Sequence, residues 1–206
     1  MPLRVTFVAA ARGTALLAER FEDDRPLDQG GWDEVQRVAG ALLPLAAAEL
    51  RYCSPTPRSR ATGAALGYAP LVQLALRDCD MGRWRGLTPA EAMAREPEAV
   101  DAWLADPRST PHGGESLPAF ISRVGGWLDT RPADDGGRIV AVAEPSVIRA
   151  ALVYALKAPP QTYWNIDVRP LSTTTVTGGA GRWNLRFDGV PAQGPRARHD
   201  PNERPY

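Results

Sequence analysis

The stretch "RVTFVAAARGT", residues 4–14, decides what fold to expect. Its apolar run through Val5, Phe7 and Val8 is typical of a buried strand, and Gly13 predicts a tight turn soon after it. In mostly parallel sheets, ligands bind beyond the carboxyl ends of the strands. The end of this strand is therefore a candidate site. It offers three alanines and one charged side chain: Ala9, Ala10, Ala11 and Arg12.

Strand and helix patterns alternate along the rest of the chain. The segment "RIVAVA" at 138–143 is nearly continuously apolar, as expected of a central strand that is buried on both faces. Further strands are predicted at 51–53 and 71–76 and in the closing segments "STTTVT" and "RWNLRF". Helical spacing of apolar residues predicts helices at 32–50, with a break at Pro44, at 58–66, at 117–128 and from Pro145 onward. Two short helices are predicted within 87–107, the second starting at Pro97. This alternation predicts an α/β fold, a three-layer α/β/α sandwich with a mostly parallel central sheet.

Composition excludes several classes of function. The 24 basic and 24 acidic residues give a net charge of zero, which does not favour nucleic-acid binding. No apolar stretch is long enough to cross a bilayer and no signal peptide is recognisable, so we expect a cytoplasmic protein that does not bind membranes. The two cysteines are then reduced thiols, and no Cys or His cluster predicts a metal or another cofactor.

The chain is predicted to hold one domain and a tail. Residues 1–189 are enough for a single domain with a substantial core. Residues 190–206 are rich in Pro and Arg and have no periodic apolar face. We therefore expect this tail to be disordered or to lie along the surface.

Four segments, in order along the chain, resemble the motifs of one family. They are "SPTPRSRAT" (54–62), "LRDCDMGRWRGLT" (76–88), "PHGGESLPAFISRV" (111–124) and "RIVAVAEPSVIRAAL" (138–152). Together they resemble the histidine phosphatase superfamily, also called phosphoglycerate mutase-like, over residues 4–188. This resemblance implies the same α/β/α fold.

The resemblance also implies a chemistry. In that family a histidine within Arg-His-Gly, at the end of the first strand, attacks phosphorus. The neighbouring arginine, an arginine from the second loop and a second histidine neutralise the phosphoryl oxygens, and a carboxylic acid protonates the leaving oxygen. Phosphoryl transfer depends on such positioning and charge neutralisation.

Carried over by position, the motifs lack both catalytic histidines. Ala9, Ala10 and Ala11 take the place of Arg-His-Gly, and Glu144 takes the place of the second histidine. The remaining functional positions carry an arginine of the second loop, an acid at the proton donor, and an arginine of the last helix. These are Arg58, Asp78 and Arg149. A capping role for Glu144 at the following helix, with a pairing to Arg58 or Arg12, is the alternative to a new catalytic role.

The resemblance implies a pocket rim as well. Arg85 replaces the Glu of the family's Trp-Glu-Gly segment, and His112 and Glu115 lie in the "PHGGES" loop that borders the pocket in this family. The only other histidine, His199, lies in the predicted tail. Phosphohistidine chemistry would therefore have to use His112.

Three functional hypotheses follow. The first is a protein that keeps the fold but has lost phosphohistidine chemistry, and that binds a small anionic metabolite or a protein partner through Arg12, Arg58 and Arg149. The second is an enzyme of altered mechanism, with Asp78 and Glu144 as an acid–base pair and Arg58 holding the substrate. The third is a phosphatase or mutase that acts through His112. The sequence leaves the oligomeric state open, a homo-oligomer included.

Overall fold

The central sheet has six strands. A computed structural model of the chain describes residues 2–12, 20–22, 24–131 and 137–187, so the predicted tail at 190–206 lies outside the described residues. The strands are β1 (Leu3–Ala9), β2 (Leu50–Cys53), β3 (Leu71–Val72), β4 (Arg138–Ala143), β5 (Thr173–Gly179) and β6 (Arg182–Arg186). Their order in the sheet is β3-β2-β4-β1-β5-β6. The first four of these run parallel, and β5 pairs antiparallel with both β1 and β6, which confirms the mostly parallel sheet.

Helices cover both faces of the sheet. They are α1 (Gln29–Leu42), α2 (Pro57–Ala65), α3 (Pro89–Arg95), α4 (Pro97–Ala105), α5 (Leu117–Asp129) and α6 (Pro145–Ala155). Phe7 of β1 points to a core formed with α5 and α6, which includes Phe120 and Ile148. Val8 points to the opposite core, formed with α1 and the segment after α2, which includes Val35 and Leu66. Because adjacent strand residues face opposite sides, both layers are filled, and the predicted three-layer sandwich is confirmed.

Two helix starts follow the capping rules. Thr88 accepts a hydrogen bond from the Glu91 amide while the Glu91 side chain accepts one from the Thr88 amide, which completes a capping box at α3. At α5 the hydroxyl of Ser116 accepts from the Ala119 amide. Both caps use residue types preferred at this position, and each stabilises its helix by about 1 kcal/mol.

The strand predicted over 71–76 is mostly wrong. Only Leu71 and Val72 form a strand, at the edge of the sheet, and Leu74–Leu76 form a 3₁₀ turn. Leu71 and Leu74 are exposed and only Leu76 is buried. Alternating apolar residues normally indicate a strand face that packs on the core. Here the apolar residues of the alternation are mostly exposed, so they indicate no such face.

The pairing of β1 with β4 positions the candidate site. The two strands are parallel and in register, with Ala9 opposite Ala143. The Ala10 amide then donates to the Ala143 carbonyl at 2.8 Å. The residues that follow each strand, Ala10 and Glu144, consequently emerge side by side at one edge of the sheet.

Candidate functional site

A cavity of about 560 Å³ opens at the carboxyl ends of the parallel strands. The lining comes from the segment after β1, the start of α2, the segment before α3, the start of α6 and the segment before β5. Five of the predicted site residues that carry a charge are among the lining residues: Arg12, Arg58, Asp78, Glu144 and Arg149. The segments that follow β1, β2 and β4 thus meet at one cavity.

The end of β1 contributes backbone and methyl groups. Ala9, Ala10 and Ala11 are all buried. The Ala11 amide donates to the hydroxyl of Thr62 on α2 at 3.0 Å, and the Ala9 carbonyl accepts from the Leu171 amide. Ala10 and Ala11 line the cavity, whereas Ala9 belongs to the core on the α5 and α6 side. This wall of the cavity therefore holds no side chain able to act as a nucleophile.

Glu144 lines the cavity and belongs to a buried polar network. Its side chain is 4% exposed, and its Oε2 lies 2.8 Å from Arg58 Nη2. The hydroxyls of Thr56 and Ser59 donate to Oε1 at 2.7 and 3.1 Å. Three donors from one turn of α2 and its cap thus hold this carboxylate, and the expected pairing of Glu144 with Arg58 is present.

The other part of that prediction, that Glu144 caps the following helix, is wrong. Glu144 occupies the residue just before α6, but its side chain makes no hydrogen bond to the helix amides. The carboxylate turns instead toward α2, where Arg58 is available. Burial raises the pKa of the Glu144 carboxyl, and the charge of Arg58 and the hydroxyl of Thr56 oppose that rise.

Asp78, the predicted proton donor, lies at the cavity wall. Its Oδ1 accepts from the Ser146 hydroxyl at 2.5 Å and from the Cys79 amide at 2.8 Å. Burial raises the pKa of Asp78, and these two hydrogen bonds and the charge of Arg58 only partly offset it. Within the described part of the chain, no arginine or lysine nitrogen forms an ion pair with Asp78.

Arg149 reaches the cavity from the second turn of α6. Its guanidinium carbon lies 5.8 Å from the centre of the Tyr163 ring. The Arg149 Nε is buried and finds no hydrogen-bond acceptor among residues 2–12, 20–22, 24–131 and 137–187. Arg149 is therefore a cation held against the Tyr163 ring, and within the described residues it forms no ion pair with a carboxylate.

An aromatic wall faces these charges. Trp103 and Trp164 meet edge to face with ring centres 4.7 Å apart, and Tyr163 meets Trp164 in the same way at 4.9 Å. Phe120 completes the wall against Tyr163. All four rings line the cavity, which gives it a large apolar surface beside its charged floor.

His112, predicted at the pocket rim, is instead a core residue. It is 1% exposed and is not among the residues that line the cavity. Its ring packs against Trp84 and Trp103, with centres 5.2 and 6.4 Å apart. The Gly114 amide donates to His112 Nδ1, and burial lowers the pKa of the imidazole, which keeps it neutral. Trp103, which packs against His112, lines the cavity, whereas His112 itself does not.

The other two predicted rim residues also lie away from the cavity lining. Arg85 is exposed and pairs with Asp24. Glu115 is held by Arg123 through two hydrogen bonds of 2.9 and 2.7 Å, in the planar geometry that arginine and carboxylate share. Both predictions fail because the side chains have nearer partners of opposite charge.

Several lining or supporting residues escape sequence reasoning. Thr56 and Ser59 are readable as residues of a helix cap, and nothing in the sequence indicates that they also bind Glu144. Ser146 could have been found from the sequence, because it lies two residues after Glu144 at the start of a predicted helix. Trp103 and Trp164 are far apart in the sequence and meet only in the fold.

Two classes of feature are not found in the described ranges. No group of three or more His, Cys, Asp or Glu side chains is arranged there to hold a metal ion. No helix in those ranges is long and apolar enough to span a bilayer.

Comparison with known proteins identifies the family. The model of the histidine phosphatase superfamily (branch 1) matches residues 18–189, and the chain therefore belongs to that superfamily. A bifunctional protein of Mycobacterium tuberculosis is 34% identical over 137 residues, which cover 64% of this chain and 38% of that protein. The chain thus spans well under half of the length of this relative.

Proteins named as phosphatases are also similar. A glucosyl-3-phosphoglycerate phosphatase of Mycolicibacterium vanbaalenii is 34% identical over 114 residues, covering 52% of this chain and 50% of that protein. The solved structure of a mycobacterial glucosyl-3-phosphoglycerate phosphatase in complex with VO3 superposes with a TM-score of 0.73 at 26% identity. That superposition covers 89% of this chain and 97% of the other.

Proposed function

We propose that this member of the histidine phosphatase superfamily has lost phosphohistidine chemistry and works by binding a small anionic metabolite in the cavity. One observation supports this most directly: Ala10 and Glu144 stand side by side at the positions that the family motif gives to its two histidines. A methyl group cannot attack phosphorus. A protein partner at the same opening is the alternative ligand.

The electrostatics of the floor also disfavour a phosphoryl group. Two unit charges of the same sign repel by about 1 kcal/mol at 4 Å in water and by several times that where water is excluded. Glu144 would oppose a phosphate oxygen in this way. It also holds Arg58, with Nη2 at 2.8 Å, so that the cation expected to bind phosphate is already neutralised.

Turnover assays test the proposal. The purified protein is incubated with p-nitrophenyl phosphate and a panel of phosphorylated metabolites, and phosphate release is measured. We expect no turnover above that of the heat-inactivated protein. Robust metal-independent turnover that disappears in His112→Ala would overturn the proposal.

A gain-of-function variant sharpens the test. The double substitution Ala10→His and Glu144→His restores a histidine at both motif positions, which directly follow the paired strands β1 and β4. We expect measurable hydrolysis of p-nitrophenyl phosphate in the double variant and none in Ala10→His alone, because Glu144 still repels phosphate there. A folded double variant without activity would show that more of the pocket has changed than these two positions.

An enzyme of altered mechanism is a second candidate. Asp78 and Glu144 both line the cavity, and burial raises the pKa of both carboxyls toward the range of a proton donor. Any new activity found by substrate screening would fall in both Asp78→Asn and Glu144→Gln under this hypothesis. Full activity in both variants would exclude it.

A further inference from the structure

We propose that the ligand of the cavity carries a cationic group and an anionic group a few bonds apart, with the cation on Asp78 and the anion on Arg149. This inference rests on the proposed function and names its ligand class. It predicts an amphoteric molecule, such as an amine that also bears a carboxylate. A purely anionic metabolite would use only half of the site.

The carboxylate of Asp78 has an oxygen available for such a cation. The contacts from Ser146 and Cys79 both go to Oδ1, and no donor of the described ranges reaches Oδ2. Asp78 belongs to the cavity lining. An ionised carboxylate without a counter-ion is costly in a confined site, and a ligand ammonium would supply the missing charge.

Arg149 is the matching cation. It lines the same cavity, forms no ion pair with a described carboxylate, and keeps a buried Nε without an acceptor in the described part of the chain. A guanidinium binds a carboxylate through two parallel hydrogen bonds. A ligand carboxylate would therefore satisfy both the charge and the donors of Arg149.

The spacing of the two groups limits the size of the ligand. Ser146 donates directly to Asp78 at 2.5 Å, and Arg149 follows Ser146 by three residues on α6. Side chains three residues apart on a helix lie on one face, with Cβ atoms about 5–6 Å apart. A ligand that reaches both groups therefore needs its two charges a few bonds apart.

Several of the remaining charges of the cavity pair with one another, as Arg169 does with Asp167 at 3.8 Å. Arg58 and Glu144 neutralise one another at 2.8 Å. Arginines and carboxylates in the lining number five and four, so the cavity as a whole is nearly neutral. Such a balance suits a ligand with both charges better than a phosphate dianion.

The aromatic wall predicts an apolar body between or beside the charges. Trp103 and Trp164 line the same cavity as Asp78 and Arg149. Aromatic rings bind apolar groups through their buried area and also attract ammonium groups at their faces. A ligand with an aromatic or aliphatic chain would use this wall.

Matched compounds test the inference by isothermal titration calorimetry of the full chain. One trio is phenylalanine, 2-phenylethylamine and 3-phenylpropanoate; the other is 5-aminopentanoate, pentylamine and pentanoate. In at least one trio, we expect the two-charge compound to bind about tenfold more tightly than either relative. If neither two-charge compound exceeds its relatives, the inference is overturned.

Variants assign the two charges. In Asp78→Asn, the two-charge compound should bind no better than its carboxylate relative, and in Arg149→Gln no better than its amine relative. Asp33→Asn and Arg37→Gln, exposed on α1, are matched controls and should leave binding unchanged. Equal binding of the trio compounds to wild type and both site variants would contradict the assignment.

The two proposals fail in different ways. Tight binding of a simple carboxylate or of inorganic phosphate, with no gain from an amine, would overturn the amphoteric ligand and leave the loss of phosphohistidine chemistry intact. Turnover of phosphate esters through His112 would overturn the proposed function itself.

Discussion

Two carboxylates on the cavity wall have contrasting surroundings. Glu144 accepts two hydroxyl hydrogen bonds and pairs with Arg58 at 2.8 Å. Asp78 accepts one hydroxyl and one amide hydrogen bond, and no cation of the described residues pairs with it. Burial raises the pKa of both. The difference lies in the counter-ion: among the described residues Arg58 pairs directly with Glu144, whereas Arg58 and Arg123 act on Asp78 without forming an ion pair with it.

This contrast separates structural from binding roles. The ion pair of Glu144 with Arg58 is buried and is joined by the hydroxyls of Thr56 and Ser59, and breaking such a pair is costly. A carboxylate that lacks a counter-ion has more to gain from a ligand. The Glu144 and Arg58 pair should therefore control stability, and the Asp78 and Arg149 end should control ligand choice.

The largest expected effect comes from breaking the ion pair of Glu144 with Arg58. Arg58→Ala removes the counter-ion and leaves Glu144 buried with only the hydroxyls of Thr56 and Ser59. We expect the free energy of unfolding, measured by urea denaturation at pH 7, to fall by about 3 kcal/mol or more. A loss below about 1 kcal/mol would show that the pair contributes little.

A double variant isolates the charge. Combining Arg58→Ala with Glu144→Gln removes the uncompensated carboxylate and keeps an oxygen to accept from Thr56. We expect the double variant to recover part of the stability that Arg58→Ala loses. Glu144→Gln is also measured alone. If the losses of stability in Arg58→Ala and Glu144→Gln simply add in the double variant, the pair does not interact as the 2.8 Å contact indicates.

Much of this architecture could be predicted from the sequence. The continuous apolar run at 138–143 reports a strand buried on both faces, and its parallel pairing with β1 follows from the alternation of strands and helices. The edge strand fails as a prediction because Leu71 and Leu74 are exposed, so that their spacing carries no information about the core.

The site was predictable where the motif segments carry it. Arg58, Asp78, Glu144 and Arg149 each belong to one of those segments and line the cavity. His112 was misplaced because its burial depends on tryptophans that pack over it only in the fold. The pairing of Glu144 with Arg58 was expected, whereas the partners of Arg85 and Glu115 were not, since the nearest charge there depends on the fold.

The pH dependence of stability sharpens the contrast at Asp78. Because its pKa in the folded chain lies above the ordinary value of 3.8, the unfolded chain ionises more readily. The stability that protonated Asp78 contributes is then fully present below pH 3.8 and is lost as the pH rises through the folded-state pKa. Asp78→Asn cannot ionise and keeps Oδ1 for Ser146.

Stability of Asp78→Asn and wild type, compared by urea denaturation at several pH values, checks this sign. The variant should gain stability relative to wild type between pH 4 and pH 7, by less than the loss in Arg58→Ala. A difference that does not change with pH would mean that Asp78 ionises as easily in the folded chain as in the unfolded chain. Ser146→Ala controls for the shared hydrogen bond.

The smallest effect is expected at Arg149, the cation of the ligand-binding end. Arg149→Ala loses the contact with the Tyr163 ring, which contributes about 0.5–1 kcal/mol. It also removes a buried Nε that has no acceptor among the described residues, which offsets part of that loss. The free energy of unfolding in urea should therefore change by less than about 1 kcal/mol. A loss as large as that of Arg58→Ala would place Arg149 in the structural framework and erase the contrast between the two ends of the cavity.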